Sequence, residues 1–165
     1  MSVANANLPA RDAVLLVEDE LGVRTLVGLY LSRASLKVLS CGSPAEAREY
    51  WKTHRDRIKL VLTDYNLMAE QTGKDLIECF RQDCATLPAV LMSGYVSNLD
   101  MSDWLVENQV LFLPKPFSYA DFYRVLQQAE SGPPSPSALS QAWDAFVHQC
   151  EQMESLVPRL SPGCS

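Results

Sequence analysis

Four short apolar runs in this 165-residue chain each lead into a residue that can do chemistry. Glu18-Asp19-Glu20 follows the run at 13–17, Asp64 follows 59–63, Ser93 follows 88–92, and Lys115, itself followed by Pro116, lies just past 110–113. Carboxylates gathered at one place repel one another and need a cation. An all-oxygen donor set suits a hard ion, and Mg²⁺ takes a few carboxylates together with water and phosphate oxygens. Such an ion neutralises charge on a phosphoryl group transferred in line to one of the carboxylates. A serine hydroxyl then bonds one phosphoryl oxygen, and a lysine ammonium pairs with another.

For these residues to meet, the runs must lie side by side. A fifth run, at 36–41, completes a set in which short, continuously apolar segments alternate with segments of helical spacing. Short apolar runs of this kind suit parallel strands buried on both faces. Leu21, Val23, Leu26, Val27, Tyr30 and Leu31 form one helical stripe, Leu76, Ile77 and Phe80 another, and Phe122, Val125, Leu126 and Ala129 a third. Helix starts fall where the alternation needs them. Ser43-Pro44-Ala45-Glu46 reads as a capping box with proline at the first helical position. Thr72…Asp75, Ser97…Asp100 and Ser118…Asp121 repeat the pattern. The order is therefore (βα)₅, and the expected fold is an α/β, flavodoxin-like, doubly wound parallel sheet of order 2-1-3-4-5. Ligands bind beyond the carboxyl ends of the strands in such sheets, which is where the acids, the hydroxyl and the ammonium stand.

The expected organisation is a flexible N-terminus at 1–11, the α/β domain at 12–130, a Pro/Ser linker at 131–137, a C-terminal amphipathic helix at 138–157 and a flexible tail at 158–165. Leu139, Ala142, Trp143, Phe146, Val147, Cys150, Met153 and Val157 fall on one face of that last helix, with Trp143 and Phe146 set to dock it onto the body or a partner. The stretch after the linker suffices for one helix but not for a helix-turn-helix domain, so no output enzyme or DNA-binding domain is expected.

A net charge of −6 and the lack of any Lys/Arg run argue against nucleic acid as a partner. No apolar segment is long enough for a bilayer, and residues 1–10 do not form a signal peptide. Five cysteines without a CxxC or Cys/His cluster read as reduced thiols, and a cytoplasmic protein is expected.

Val14-Leu-Leu-Val-Glu-Asp-Glu20, Val61-Leu-Thr-Asp64, Ala89-Val-Leu-Met-Ser93-Gly94 and Phe112-Leu-Pro-Lys115-Pro116-Phe117 together resemble the hallmark segments of response-regulator receiver domains. The resemblance spans roughly residues 12 to 130. It implies that Asp64 is the phosphoacceptor, supplied by a histidine kinase or a histidine phosphotransfer protein. It implies that Glu18, Asp19, Asp64 and the backbone carbonyl of Asn66 hold Mg²⁺, that Ser93 and Lys115 bond the phosphoryl group, and that Lys115–Pro116 is cis. Phe112 takes the switch-aromatic position, although core packing accounts for it equally well. Asn66 and Tyr95 flank the site where the lifetime of the aspartyl phosphate is tuned.

A receiver of this kind is not an enzyme in the usual sense, beyond slow autodephosphorylation. It signals through contacts with a downstream protein or with a second copy of itself.

The chain departs from the family in the loop Asp64-Tyr-Asn-Leu-Met-Ala-Glu-Gln-Thr-Gly73, which lacks the usual Met-Pro and reaches its glycine one residue late. Glu18 also replaces the commoner aspartate with a longer side chain. The altered loop and the extra C-terminal helix motivate an alternative reading, a receiver-fold protein-binding module that no longer depends on phosphate. A phosphohydrolase with an aspartate nucleophile fits less well, because such enzymes place D-x-D after the first strand. A flavin role fares worse, since carboxylates there repel the cofactor phosphate.

Overall fold

The computed structural model of the chain describes residues 11–68, 70–94 and 99–156, without the side chains of 99, 100, 149, 150 and 153–156. Five strands, β1 (Ala13–Val17), β2 (Lys37–Cys41), β3 (Ile58–Asp64), β4 (Ala89–Ser93) and β5 (Leu111–Pro114), alternate with α1 (Leu21–Arg33), α2 (Pro44–His54), α3 (Gly73–Asp83), α4 (Leu99–Glu107) and α5 (Tyr119–Glu130). A sixth helix, α6 (Pro136–Leu156), follows. All strand pairings are parallel, in the order β2-β1-β3-β4-β5. This is the expected architecture.

The period of two along each strand divides the core. Val14, Leu16, Leu60, Leu62, Val90, Met92, Leu111 and Leu113 face α1 and α5 on one side of the sheet. Leu15, Val17 and Val61 face α2 and α3 on the other, where Trp51 stacks on Phe80 with ring centroids 4.7 Å apart. Further along that second side, Ala89, Leu91 and Phe112 meet α4 and α6. The central strands are buried on both faces, whereas β2, an edge strand, exposes Lys37 and Ser40.

Two caps match the sequence reading in full. Thr72 and Asp75, and Ser118 and Asp121, satisfy each other's backbone N–H groups reciprocally. At α2 the box is incomplete: the Ser43 hydroxyl accepts from the Glu46 N–H, but the Glu46 carboxylate accepts from the Gly42 N–H instead of from Ser43. Ser97, expected to begin α4, lies outside the described residues.

The α1 stripe is narrower than its apolar residues suggest. Val27 and Leu31 are buried and Val23 and Tyr30 pack against them, but Leu21, Leu26 and Leu29 are exposed. A helix advances about 100° per residue, so Leu26 sits a quarter-turn or more away from Val27. The same geometry turns Ala142 outward on α6, where Leu139, Trp143 and Phe146 are buried. Val157 lies outside the described residues.

Helix α6 begins two residues before its expected start. Ser135 accepts from the Ala138 N–H and Pro136 takes the first helical position, so part of the apparent linker is a helix start. No helix among the described residues is long and apolar enough to cross a membrane.

Candidate functional site

The parallel sheet delivers its chemistry at one end. Glu18 and Asp19 follow β1, Asp64 ends β3, Ser93 ends β4, and Lys115 follows β5. Backbone bonds lock these tips together: Tyr65 N–H to the Met92 carbonyl at 2.8 Å, and Lys115 N–H to the Ser93 carbonyl at 2.8 Å. The Lys115–Pro116 peptide is cis, as the resemblance implies.

The Lys115 ammonium lies between two carboxylates. Its Nζ donates to Glu18 Oε2 at 2.7 Å and pairs with Asp64 Oδ1 at 2.8 Å. Oxygens of Glu18, Asp19 and Asp64 lie within 4.8 Å of one another. That donor set is all oxygen and anionic, and it fits a hard divalent cation.

Glu18 and Asp64 are both buried, and burial is the main force raising their carboxyls above the ordinary range. Lys115 pulls both down, while Asp64 pushes Glu18 up and Asp19 pushes Asp64 up. For Lys115 itself burial works against the charge, but the bonds to Asp64 and Glu18 outweigh it and hold the ammonium above its ordinary value. The two acids are raised chiefly by burial, with a smaller push from a neighbouring carboxylate, and the lysine is raised by its two carboxylate partners.

The rear of the pocket is built from backbone. The Glu18 N–H donates to the Cys41 carbonyl at 3.1 Å, and the Glu20 N–H donates to Glu18 Oε1 at 3.2 Å. Arg24, one turn into α1, donates from Nη1 to the Glu18 carbonyl at 2.6 Å and to the Asp19 carbonyl at 3.3 Å. Gly42 leaves room for that guanidinium, since a Cβ there would lie 2.6 Å from Nη1. The lengthened loop after β3 returns to the site at Gly73, whose N–H donates to the Tyr65 carbonyl at 2.9 Å. A Cβ at Gly73 would overlap the Asp64 carbonyl oxygen and the Thr63 side chain, so only glycine fits.

The structure thus brings together Glu18, Asp19, Asp64 and Lys115, with the buried Ser93 at the adjoining strand end. Asn66 lies in the exposed part of the loop, two residues past Asp64, and Tyr95 is outside the described residues. Phe112 sits apart from the pocket, on the sheet face under α6, edge-on to Trp143 and Phe146 at centroid distances of 5.3 and 4.9 Å. Arg24 and Gly42 have no place in the sequence reading. The signal was present as an arginine one turn after an acidic triplet, but nothing in the sequence showed that the turn would bring it back beneath that triplet.

The family model for the response regulator receiver domain matches residues 14–127. The chain belongs to that family, and it is a receiver domain of two-component signalling. It is 28% identical over 118 residues to the putative two-component response regulator ARR21 of Arabidopsis thaliana, a match that covers 72% of this chain and 19% of that protein. The chain therefore spans about a fifth of that relative's length.

Among solved structures, a response regulator receiver protein from Pseudomonas putida is 26% identical with a TM-score of 0.63, covering 72% of this chain and 98% of that one. The chemotaxis protein CheY4 of Vibrio cholerae superposes with a TM-score of 0.64 at 21% identity, covering 73% and 99%. The latter likeness speaks to the fold alone.

Proposed function

We propose that this chain is a Mg²⁺-dependent phosphorylation switch whose phosphoacceptor is Asp64. The observation that carries the reading is the Lys115 ammonium held between Asp64 and Glu18, with Asp19 completing a three-carboxylate cluster. An Asp64 carboxylate oxygen attacks the phosphorus of a phosphohistidine on a histidine kinase or phosphotransfer protein. A P–O bond forms, the P–N bond breaks, and the imidazole leaves. When bound by Glu18, Asp19, Asp64 and the Asn66 carbonyl, Mg²⁺ supplies charge neutralisation for the phosphoryl oxygens.

Lys115 already bonds the oxygen end of Asp64, so a phosphoryl group there presents further acceptors to the same ammonium. Ser93 stands at the neighbouring strand end to bond another phosphoryl oxygen. The bonds formed at the tips of β4 and β5 bias the packing of those elements, and the readout passes to a protein target through contacts. Leu21, exposed at the start of the helix that begins beside the acids, offers the phosphodonor an apolar contact next to them.

The retained pocket favours this switch over a phosphate-independent binding module. Burying two carboxylates with one lysine is costly, and a purely adhesive scaffold gains nothing from it. Incubation with acetyl phosphate and Mg²⁺ adds one phosphoryl group by intact mass, and Asp64→Asn adds none. Equal labelling of wild type and variant would sink the assignment.

A further inference from the structure

The carboxylates of Glu18 and Asp19 are only as well placed as the short loop that carries them. That loop has a dedicated support. Arg24 reaches back from the first turn of α1 and grips the backbone carbonyls of both residues with one nitrogen, at 2.6 and 3.3 Å. Gly42, at the end of β2, leaves the guanidinium its seat. The bonds go to the backbone, so both carboxylates remain free to face the pocket.

We infer that Arg24, seated against Gly42, is a positioning residue for the cation site, fixing the Glu18–Asp19 backbone so that both carboxylates are presented together. This rests on the proposed function, because it concerns the same Mg²⁺ site.

The chemistry makes such a support valuable. Mg²⁺ demands near-octahedral geometry with oxygens close in, so it is sensitive to small displacements of its ligands. Residues that orient ligands without touching the ion typically change metal affinity about 10–100-fold when removed. Glu18 has other anchors: its own N–H on the Cys41 carbonyl, the Glu20 N–H on its carboxylate, and Lys115. Arg24 ties Asp19 into the same fixed frame. A single guanidinium nitrogen reaches both carbonyls, and its charge strengthens each bond.

The experiment is Mg²⁺ titration of the full chain by calorimetry, with thermal unfolding of the metal-free proteins run in parallel. Arg24→Ala weakens Mg²⁺ about tenfold. Arg24→Gln and Arg24→Lys, which keep a donor, bind more tightly than Arg24→Ala. Gly42→Ala, whose methyl intrudes on the guanidinium, weakens Mg²⁺ in the wild-type background but has no further effect in Arg24→Ala, since the two changes remove the same support.

A merely structural arginine would lower the unfolding temperature of the metal-free protein and leave Mg²⁺ affinity alone, which would overturn the inference. So would equal or tighter binding by Arg24→Ala, or a Gly42→Ala effect that persists without Arg24. A wild type that takes up no Mg²⁺ overturns the proposed function and this inference with it. A wild type that binds, beside an Arg24→Ala that binds equally, overturns the inference alone.

Discussion

Two regions share β5 and are built on opposite principles. Around Lys115, at the end of the strand, two of three clustered carboxylates pair with one ammonium, and both are raised because burial disfavours their charge. Around Phe112, three residues earlier, aromatic rings meet edge to face or tilted and nothing ionisable is asked to give up water. Where Trp104 and Trp51 carry a polar atom at the margins of the core, each indole N–H has a carboxylate acceptor, Glu78 and Asp83. The aromatic region is consistent with itself and stabilises the fold. The acid pocket is in conflict with itself, and a phosphoryl-accepting site is where such conflict is expected. The contrast makes a claim about sign: truncation under α6 destabilises, whereas removing a charge from the pocket does the reverse.

The largest effect falls on the aromatic side. Trp143 is buried against Phe112 and Phe146, in the cluster that includes Trp104. Trp143→Ala removes a large ring from a packed cluster, and about 3–5 kcal/mol of stability goes with it. Urea unfolding shows this as a lower midpoint, and hydrogen exchange shows lost protection along α6. Mg²⁺ affinity stays within twofold of wild type, because no atom of Trp143 reaches the pocket. A variant that keeps its stability would mean that α6 rests on the body without being held by it.

Shape, unlike charge, is not negotiable in the pocket. Gly73→Ala forces a methyl into the Asp64 carbonyl and the Thr63 side chain, and backbone has no rotamer with which to retreat. The expected loss is about 1–3 kcal/mol, as for other overpacked sites. Because the shift falls on Asp64, labelling by acetyl phosphate slows as well. Circular dichroism with urea titration measures the first effect, and the rate of mass gain measures the second. The two losses together separate this variant from Trp143→Ala, which touches only stability.

The fold was legible because its signals are local and repeated. Five apolar runs, four of them followed by a helix-start signal, leave few topologies, and the boundaries of β1, β3 and β5 shifted by a residue or less. The acid–lysine site was legible because strand ends in a parallel sheet converge, so residue type and position sufficed. The contents of helix faces were less legible. Leu21, Leu26 and Ala142 looked like core because they are apolar, yet burial is decided by an angle of about 100° per residue and by how much of the helix its neighbours cover. The linker misled at Ser135-Pro136, where residues typical of a disordered stretch cap a helix. Arg24 stayed hidden because its partners are backbone carbonyls, which leave no mark in a sequence.

The smallest effect is the sharpest test of the comparison, because its sign is opposite. In the absence of divalent cations, Asp64→Asn removes one of three clustered charges while leaving Glu18 to pair with Lys115. The amide oxygen still accepts from the ammonium, so the variant gains about 1 kcal/mol of stability, in the range typical of relaxed functional sites.

pH gives the same answer independently. Asp64 and Glu18 are raised from ordinary values of 3.8 and 4.5. The folded protein therefore holds protons there that the unfolded chain has released. The stability this contributes is fully present below those ordinary values and is lost as pH rises through the raised ones. Lys115, raised from 10.5, contributes throughout that window and fades only in strong alkali. Metal-free wild type should thus lose stability from mildly acidic pH towards neutrality, and Asp64→Asn should lose less. If thermal unfolding gave Asp64→Asn the lower midpoint at neutral pH, or gave both proteins the same slope with pH, the pocket would be as self-consistent as the aromatic cluster, and the distinction between the two ends of β5 would disappear.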